Sequence, residues 1–253
     1  MGAASPRNNC NGRNKRMKDW TPVKERLTAV MARLSRADQK NGSLTELLAV
    51  SKTFPPEAVL AAAEMGQRAF GENYAQEGCD KIEWFRTNHP ELPLVWHFIG
   101  PLQSNKTKIV AEHFDWVESI DRVKIAQRLN DQRPMTKDKL NVLIEVNIDG
   151  EATKSGVKPE DLDAILEAVA AMPNLRLRGL MAIPAPADTR EGKLVPLTAM
   201  RALYDRYSET YGFDVLSMGM SADMEEAVEA GANQVRVGSA IFGARHYPAK
   251  PAV

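Results

Sequence analysis

The sequence predicts an α/β fold of one architecture, a closed (β/α)8 TIM barrel with an extra N-terminal helix. Eight short apolar runs recur along the chain, and longer segments rich in Ala, Leu and Glu lie between them. Parallel strands need such helical crossovers, and closure of the sheet leaves no exposed edge. The length of 253 residues also matches the roughly 250 that one such barrel requires.

The first predicted element is a helix that precedes the barrel. Its pattern begins at Trp20, with Thr21 as the predicted N-cap and Pro22 in the first turn. Apolar residues follow at helical spacing: Val23, Leu27, Val30, Met31 and Leu34. Residues 1–19 are polar and basic without apolar periodicity. We therefore expect a disordered leader over 1–19, a single barrel domain over 20–246 and a tail over 247–253.

The eight apolar runs are the predicted strands. In chain order they are Leu47–Lys52, Arg68–Asn73, Val95–Gly100, Trp116–Asp121, Asn141–Ile148, Leu175–Ile183, Val215–Met220 and Gln234–Phe242. Helical composition and plausible caps mark segments between them, among them Pro56–Gly66, Asp121–Asn130, Pro159–Met172, Pro196–Tyr211 and Asp223–Gly231. An open doubly wound sheet is the alternative, but the sequence lacks the glycine-rich nucleotide-binding fingerprints of that fold.

Composition excludes several classes of function. The 33 basic and 33 acidic residues give zero net charge, which argues against a surface for nucleic acid or anionic membrane. The chain has no apolar window of about 18 residues and no signal-peptide pattern, so a cytoplasmic protein is expected. Cys10 and Cys79 form no Cys-x-x-Cys pair, which favours a reducing compartment. The four histidines lack metal-ligand spacing, so no metal is expected.

Lys52 closes the first apolar run. In (β/α)8 barrels the carboxyl ends of the strands carry function, so the residue at the end of each run is a candidate site residue. Desolvation at an apolar rim favours the neutral amine, which is a nucleophile toward an aldehyde. The alternative is an ordinary lysine whose ammonium group reaches solvent along an apolar surface.

Two small-residue turns follow the seventh and eighth runs. The segment Ser217–Ser221 leads into a helix that Ser221 or Asp223 could cap, and Arg236–Ser239 supplies a second turn with a hydroxyl group. The loops after strands 7 and 8 are the usual phosphate site of these barrels. Alternatively, the glycines of the two turns permit close packing and Ser221 is an ordinary helix cap.

Arg236 lies between Val235 and Val237 and therefore points to the opposite face of its strand. A buried arginine needs a partner. A structural carboxylate such as Glu145, on the fifth run, could provide it. The alternative partner is the ring nitrogen of a bound cofactor, for which arginine is suitable when the aldehyde-bearing group is pyridoxal phosphate.

Seven motifs together resemble one known family. They are Ala49–Thr53, Phe70–Tyr74, His97–Lys106, Lys154–Gly156, Gly179–Ile183, Ser217–Asp223 and Val235–Gly243. In this order they are similar to the pyridoxal phosphate homeostasis protein family, over about residues 22–246.

The resemblance implies a fold-type III barrel similar to the N-terminal domain of alanine racemase, with pyridoxal phosphate as the cofactor. By motif match, Lys52 would form the internal aldimine, and the other cofactor-binding residues would be Asn73 and Met220 at the ring, Arg236 at the pyridine nitrogen, and Ser221, Gly238 and Ser239 at the phosphate. Ser239 stands where many relatives have threonine. Lys154, in a loop after the fifth strand, has no role assigned and is interpreted as a solvated loop charge.

Two functions remain open at this point. One is a pyridoxal phosphate-binding protein that holds the cofactor and supplies it to dependent apoenzymes; the other is an amino-acid racemase. A racemase of this fold needs a tyrosine from the C-terminal domain of a partner subunit, whereas only ten residues follow Gly243 here. The sequence thus favours a monomeric binding protein that is not an enzyme.

Overall fold

The computed structural model describes residues 19–151 and 154–244. The predicted leader lies outside the described residues except for Asp19, and the predicted tail lies outside them altogether. Both predictions therefore stay predictions.

The described residues confirm the predicted barrel. Its strands are β1 (Glu46–Val50), β2 (Ala69–Glu72), β3 (Val95–Phe98), β4 (Trp116–Ile120), β5 (Leu140–Glu145), β6 (Leu175–Met181), β7 (Val215–Ser217) and β8 (Gln234–Val237). All pair in parallel in sequence order, and β8 closes the ring on β1 with Leu48 opposite Arg236. This parallel closure places the carboxyl ends of all eight strands at one mouth of the barrel.

Helices surround the barrel in the described part of the chain. They are α1 (Thr21–Asn41), α2 (Pro56–Glu64), α3 (Ala75–Asn88), α4 (Thr107–His113), α5 (Val123–Gln132), a 3-10 turn (Pro159–Asp161), α6 (Leu162–Ala170), α7 (Arg190–Tyr211), α8 (Met224–Glu229) and α9 (Ser239–Phe242). No helix of the described segments has both the length and the apolarity needed to cross a bilayer.

Two boundaries differ clearly from the sequence prediction. Helix α7 begins at Arg190, ahead of Pro196, because the Thr189 hydroxyl caps it by accepting from the amide of Gly192. The eighth run is a strand only to Val237, and its second half forms α9. A continuous apolar run does not distinguish a buried strand from a short buried helix, which explains the latter error.

Helix α1 packs on the outside of the ring against α2, α8 and α9. The Arg26 guanidinium donates to the carbonyl oxygens of Ile241 and Phe242 at 2.8 and 3.2 Å. One detail of the predicted helix is wrong. Thr21 is its first helical residue and not the cap, and its amide donates to Asp19 instead. Met31 is 47% exposed because it falls at the edge of the apolar stripe.

The barrel has an outer and an inner core. The outer core joins the sheet to the helices through alternate strand residues such as Phe70, Phe98 and Leu216. The residues between them point into the barrel and form two separate apolar clusters: Leu48, Val50, Ala69 and Ile99; and Leu143, Met181 and Val215. Polar side chains occupy the remaining interior and lead up to the carboxyl mouth.

Candidate functional site

A buried carboxylate, Glu118 of β4, organises the polar interior. Its Oε1 accepts from Gln234 Nε2 at 2.6 Å and lies 2.7 Å from His97 Nδ1, while its Oε2 accepts from the Ser217 hydroxyl at 2.7 Å. Burial opposes ionisation, but the His97 contact, the Arg236 charge and the Ser217 hydrogen bond hold the pKa of Glu118 below its ordinary value. Glu118 is therefore a charged anchor within the barrel, and the sequence analysis did not identify it.

Arg236 lies one inward position above Gln234 on β8 and is buried. Its guanidinium donates to the Ser217 hydroxyl and to the Ala182 carbonyl, each at 2.7 Å. The suggested pairing with Glu145 is wrong for the described residues, because these two contacts fix the guanidinium elsewhere. The Ser217 hydroxyl bonds to both Arg236 and Glu118, so the carboxylate of Glu118 compensates the charge of the Arg236 guanidinium from deeper in the barrel.

Glu145 is the last residue of β5, two positions beyond the inward-facing Leu143. Burial and the Asp121 charge raise the pKa of its carboxyl group to about 7, although Arg236 lowers it. The pattern of alternation along β5 could have placed Glu145 at the mouth of the barrel, where a group that titrates near neutrality can respond to a ligand.

Lys52 occupies the second position of a tight turn at the end of β1. Inward-facing Leu48 and Val50 precede it at intervals of two, so this series leads Lys52 to the mouth. The turn is closed by the amide of Phe54, which donates to the Ser51 carbonyl at 3.1 Å. Thr53, at the third position, has a φ of 68°. This left-handed conformation is costly for a β-branched residue, so the surroundings must stabilise it.

A buried ionic network lies behind this turn, and sequence reasoning missed it. Lys81 of α3 is 4% exposed, and its Nζ donates to Glu72 Oε1 at 2.7 Å, to Glu77 Oε1 at 2.7 Å and to the Ser51 carbonyl at 2.8 Å. All three donors of the ammonium group are thus used. Burial raises the pKa of Glu72 to about 6, against the lowering effect of Lys81.

Asn73 follows β2 at the same mouth. Its side-chain oxygen is buried and has no hydrogen-bond partner. Buried polar atoms are normally paired, so an unpartnered amide oxygen in this position indicates hydrogen-bonding capacity left for a ligand. Asn73 therefore follows directly on the strand that pairs with β1, the strand that leads to Lys52.

The turn after β7 is joined to strand β8, while its predicted convergence with the turn after β8 stays a prediction. The Arg236 amide donates to the Gly219 carbonyl at 2.9 Å. Gly219 has a φ of 91°, and a Cβ there would lie 2.3 Å from the Cβ of Ala227, so a side chain is excluded. A Cβ on Gly238 would lie 3.2 Å from the Val50 carbonyl oxygen, which keeps this turn close against the end of β1.

The capping prediction for α8 is partly wrong. Asp223 is the N-cap residue rather than Ser221, yet its carboxylate accepts from the Met220 amide at 2.7 Å and not from the helix. That bond holds Met220 and Ser221 in the turn. Ser239 begins α9 and is exposed, with Gly238 as the cap. Ser221 thus follows β7, and Gly238 and Ser239 follow β8, the strand that pairs with it.

The ion-pair partners of Lys154 belong to its own loop and not to the predicted cofactor-binding residues. Its Nζ contacts Asp149 Oδ2 at 2.8 Å and Glu151 Oε1 at 3.6 Å within its own loop. It is therefore a paired loop charge in the structure.

Comparison with known proteins first defines the class. Residues 26–246 match the family model of the alanine racemase N-terminal domain. The alanine racemase of Clostridium difficile 630 superposes with a TM-score of 0.70 at 16% identity, over 90% of this chain and 59% of that chain. At this identity the likeness shows the fold alone. The chain is a barrel of the alanine racemase type.

Closer relatives identify the family within that class. The chain is 52% identical over 229 residues to the pyridoxal phosphate homeostasis protein of Vibrio cholerae, covering 89% of this chain and 97% of the relative. PipY of Synechococcus elongatus, solved with PLP bound, is 31% identical with a TM-score of 0.75, over 87% of this chain and all of PipY. The chain belongs to the pyridoxal phosphate homeostasis protein family.

Proposed function

We propose that this chain binds pyridoxal 5′-phosphate (PLP) at the carboxyl mouth of the barrel and takes part in its homeostasis by holding it and supplying it to other proteins. The observation that carries the proposal is that four features lie at the carboxyl ends of the strands: Lys52, the unpartnered amide oxygen of Asn73, buried Arg236, and the turn after β7 that bonds to the Arg236 amide. Membership of the family, and the PLP bound to PipY, support the identity of the ligand.

The residues at the mouth fit the chemistry of PLP. When bound, PLP supplies an aldehyde that reacts reversibly with amines. Lys52 would hold that aldehyde covalently through its Nζ, and Arg236 would face the pyridine nitrogen. Asn73 and Met220 would line the ring, with the spare capacity of the Asn73 amide directed to a polar group of the ligand. Ser221, Gly238 and Ser239 would hold the phosphate.

Arg236 favours storage over catalysis in this proposal. Its permanent positive charge disfavours a protonated pyridine nitrogen, which weakens the electron withdrawal that most amino-acid chemistry on PLP uses. The curated relatives at about 50% identity, such as that of Vibrio cholerae, are named pyridoxal phosphate homeostasis proteins. We therefore propose a cytoplasmic monomer that transfers PLP to dependent apoenzymes and does not itself turn over amino acids.

An absorption spectrum with a matched variant tests the proposal. The purified protein with PLP should absorb in the near visible, and Lys52→Ala should abolish that band, whereas Lys106→Ala should retain it. Borohydride reduction followed by peptide mapping should place the adduct on Lys52. An adduct found only on another lysine would refute the assignment.

The supply function needs a second measurement. The PLP-loaded chain should restore activity to a PLP-dependent apoenzyme, and chiral analysis after incubation with D- and L-amino acids should find negligible racemisation. Turnover near the enzyme median of about 10 s⁻¹ would instead make the protein a racemase.

A further inference from the structure

The turn that carries Lys52 is held from behind on both sides of the lysine. Ser51 donates through its hydroxyl to Glu72 Oε1 at 2.6 Å, and Thr53 donates through its amide to Glu77 Oε1 at 2.6 Å. Lys81 contacts both of these carboxylate oxygens and the Ser51 carbonyl. The two neighbours of Lys52 are thereby joined through one ammonium group.

Overall stability gives a poor explanation for this arrangement. Glu72 and Lys81 are both buried, and a buried ion pair is often no more stabilising than apolar side chains of similar volume. What apolar side chains cannot do is accept a hydrogen bond from the backbone amide of Thr53. That amide belongs to the residue with a φ of 68°, which is where the turn most needs support.

We propose that Glu77, fixed by Lys81, is a positioning residue for Lys52, an inference that rests on the proposed function of Lys52. Glu77 does not reach the ligand in this proposal. It holds the turn in the conformation that presents the Lys52 amine to the aldehyde of PLP. In the capture step the amine nitrogen adds to the aldehyde carbon, a C=N bond replaces the C=O bond, and the oxygen leaves as water.

This role predicts that covalent capture and reversible binding respond differently to substitution. In the described part of the chain, Glu77 accepts hydrogen bonds from the Thr53 amide and from Lys81 rather than from Asn73 or the turns after β7 and β8, so the pocket for ring and phosphate should persist without it. Without Glu77, however, Lys52 should lose the orientation that presents its amine to the aldehyde.

The experiment compares two ligands on the full chain freed of PLP. Pyridoxine 5′-phosphate has an alcohol in place of the aldehyde and reports reversible binding alone, by calorimetry. PLP reports capture, by the rate at which the near-visible band appears at saturating concentration. The variants are Glu77→Ala, Glu77→Gln, whose amide oxygen can still accept from Thr53, and Asp80→Ala, which removes an exposed carboxylate from the same helix. Glu77 is 31% exposed, so its variants should fold.

The loss of a hydrogen bond to a charged acceptor should slow capture by Glu77→Ala about tenfold, while Asp80→Ala should leave the rate unchanged. Glu77→Gln should recover most of the rate. The dissociation constant for pyridoxine 5′-phosphate should stay within about twofold of the parent protein in all three variants.

Two results would overturn the inference. One is capture by Glu77→Ala at the parent rate; the other is an equal loss of pyridoxine 5′-phosphate binding, which would make Glu77 a general structural residue. Failure of the proposed function has a different signature: the parent protein itself would form no near-visible band, or Lys52→Ala would keep it, and this inference would fall with it.

Discussion

Glu118 and Glu72 are both fully buried carboxyl groups, yet their pKa values are shifted in opposite directions. Glu118 lies inside the barrel and accepts through both oxygens, and its pKa is held below the ordinary value despite burial. Glu72 lies between the sheet and α3, accepts through Oε1 only, and leaves Oε2 without a partner. Burial raises its pKa to about 6. The comparison teaches that partners, and not depth alone, set the direction of the pKa shift: His97, Arg236 and Ser217 outweigh burial at Glu118, whereas Lys81 and Ser51 do not outweigh it at Glu72.

Glu118→Gln should have the largest effect on stability. It removes the charge that compensates buried Arg236 and disturbs the bonds to His97 and Ser217. Breaking a buried charge pair costs about 3–5 kcal/mol, so the free energy of unfolding in urea at pH 7 should fall by that amount. Glu112→Gln, on the exposed face of α4, is the control and should change it by less than about 0.5 kcal/mol. A fall in the free energy of unfolding as small as that of the control would show that Glu118 does not compensate the charge of Arg236.

Glu145 sharpens the comparison because it is inside the barrel like Glu118 but has a raised pKa like Glu72. The unfolded chain loses this proton near 4.5 and the folded chain near 7, so stability should fall as the pH rises between these values. The shift corresponds to about 3 kcal/mol. Glu118, with its lowered pKa, acts in the opposite sense and loses its contribution as the pH falls below about 4.5.

Urea unfolding of the ligand-free protein at several pH values measures this effect. Glu145→Gln should flatten the slope between pH 4.5 and 7. An unchanged slope would mean that Glu145 is solvated and that burial does not raise its pKa as it raises that of Glu72. The Glu112→Gln protein again serves as the control.

Glu72→Gln should have the smallest effect. Its charge is already disfavoured by burial, and Lys81 keeps its contacts with Glu77 and with the Ser51 carbonyl. The gain from removing a poorly solvated charge should offset the weakened pairing, so the free energy of unfolding at pH 7 should change by less than about 1 kcal/mol. A loss as large as that of Glu118→Gln would show that both carboxylates are structural anchors.

The sequence allowed prediction of the strands and of the residues at their ends, because apolar runs and barrel topology act locally and by fixed rules. Lys52, Arg236 and the two small-residue turns follow from those rules. The network around Lys81 does not. Glu77 and Lys81 are four residues apart on a helix, a spacing typical of an exposed pair, and only packing of α3 against the Lys52 turn buries the lysine. Glu118 was not predicted either, because it lies in the middle of the apolar run Trp116–Asp121 and not at the end of the strand.

The position of α1 has a consequence for the order in which the chain folds. Arg26 bonds to the carbonyls of Ile241 and Phe242, about 215 residues along the chain, and β1 pairs with β8. The part of α1 that packs against α2 can be covered early in translation, but the part that packs against α8 and α9 cannot be covered until those helices have left the ribosome. Contacts of such high sequence separation form slowly. We therefore expect the nascent chain to expose the α8- and α9-facing side of α1 until synthesis is nearly complete, which leaves this surface available to chaperones.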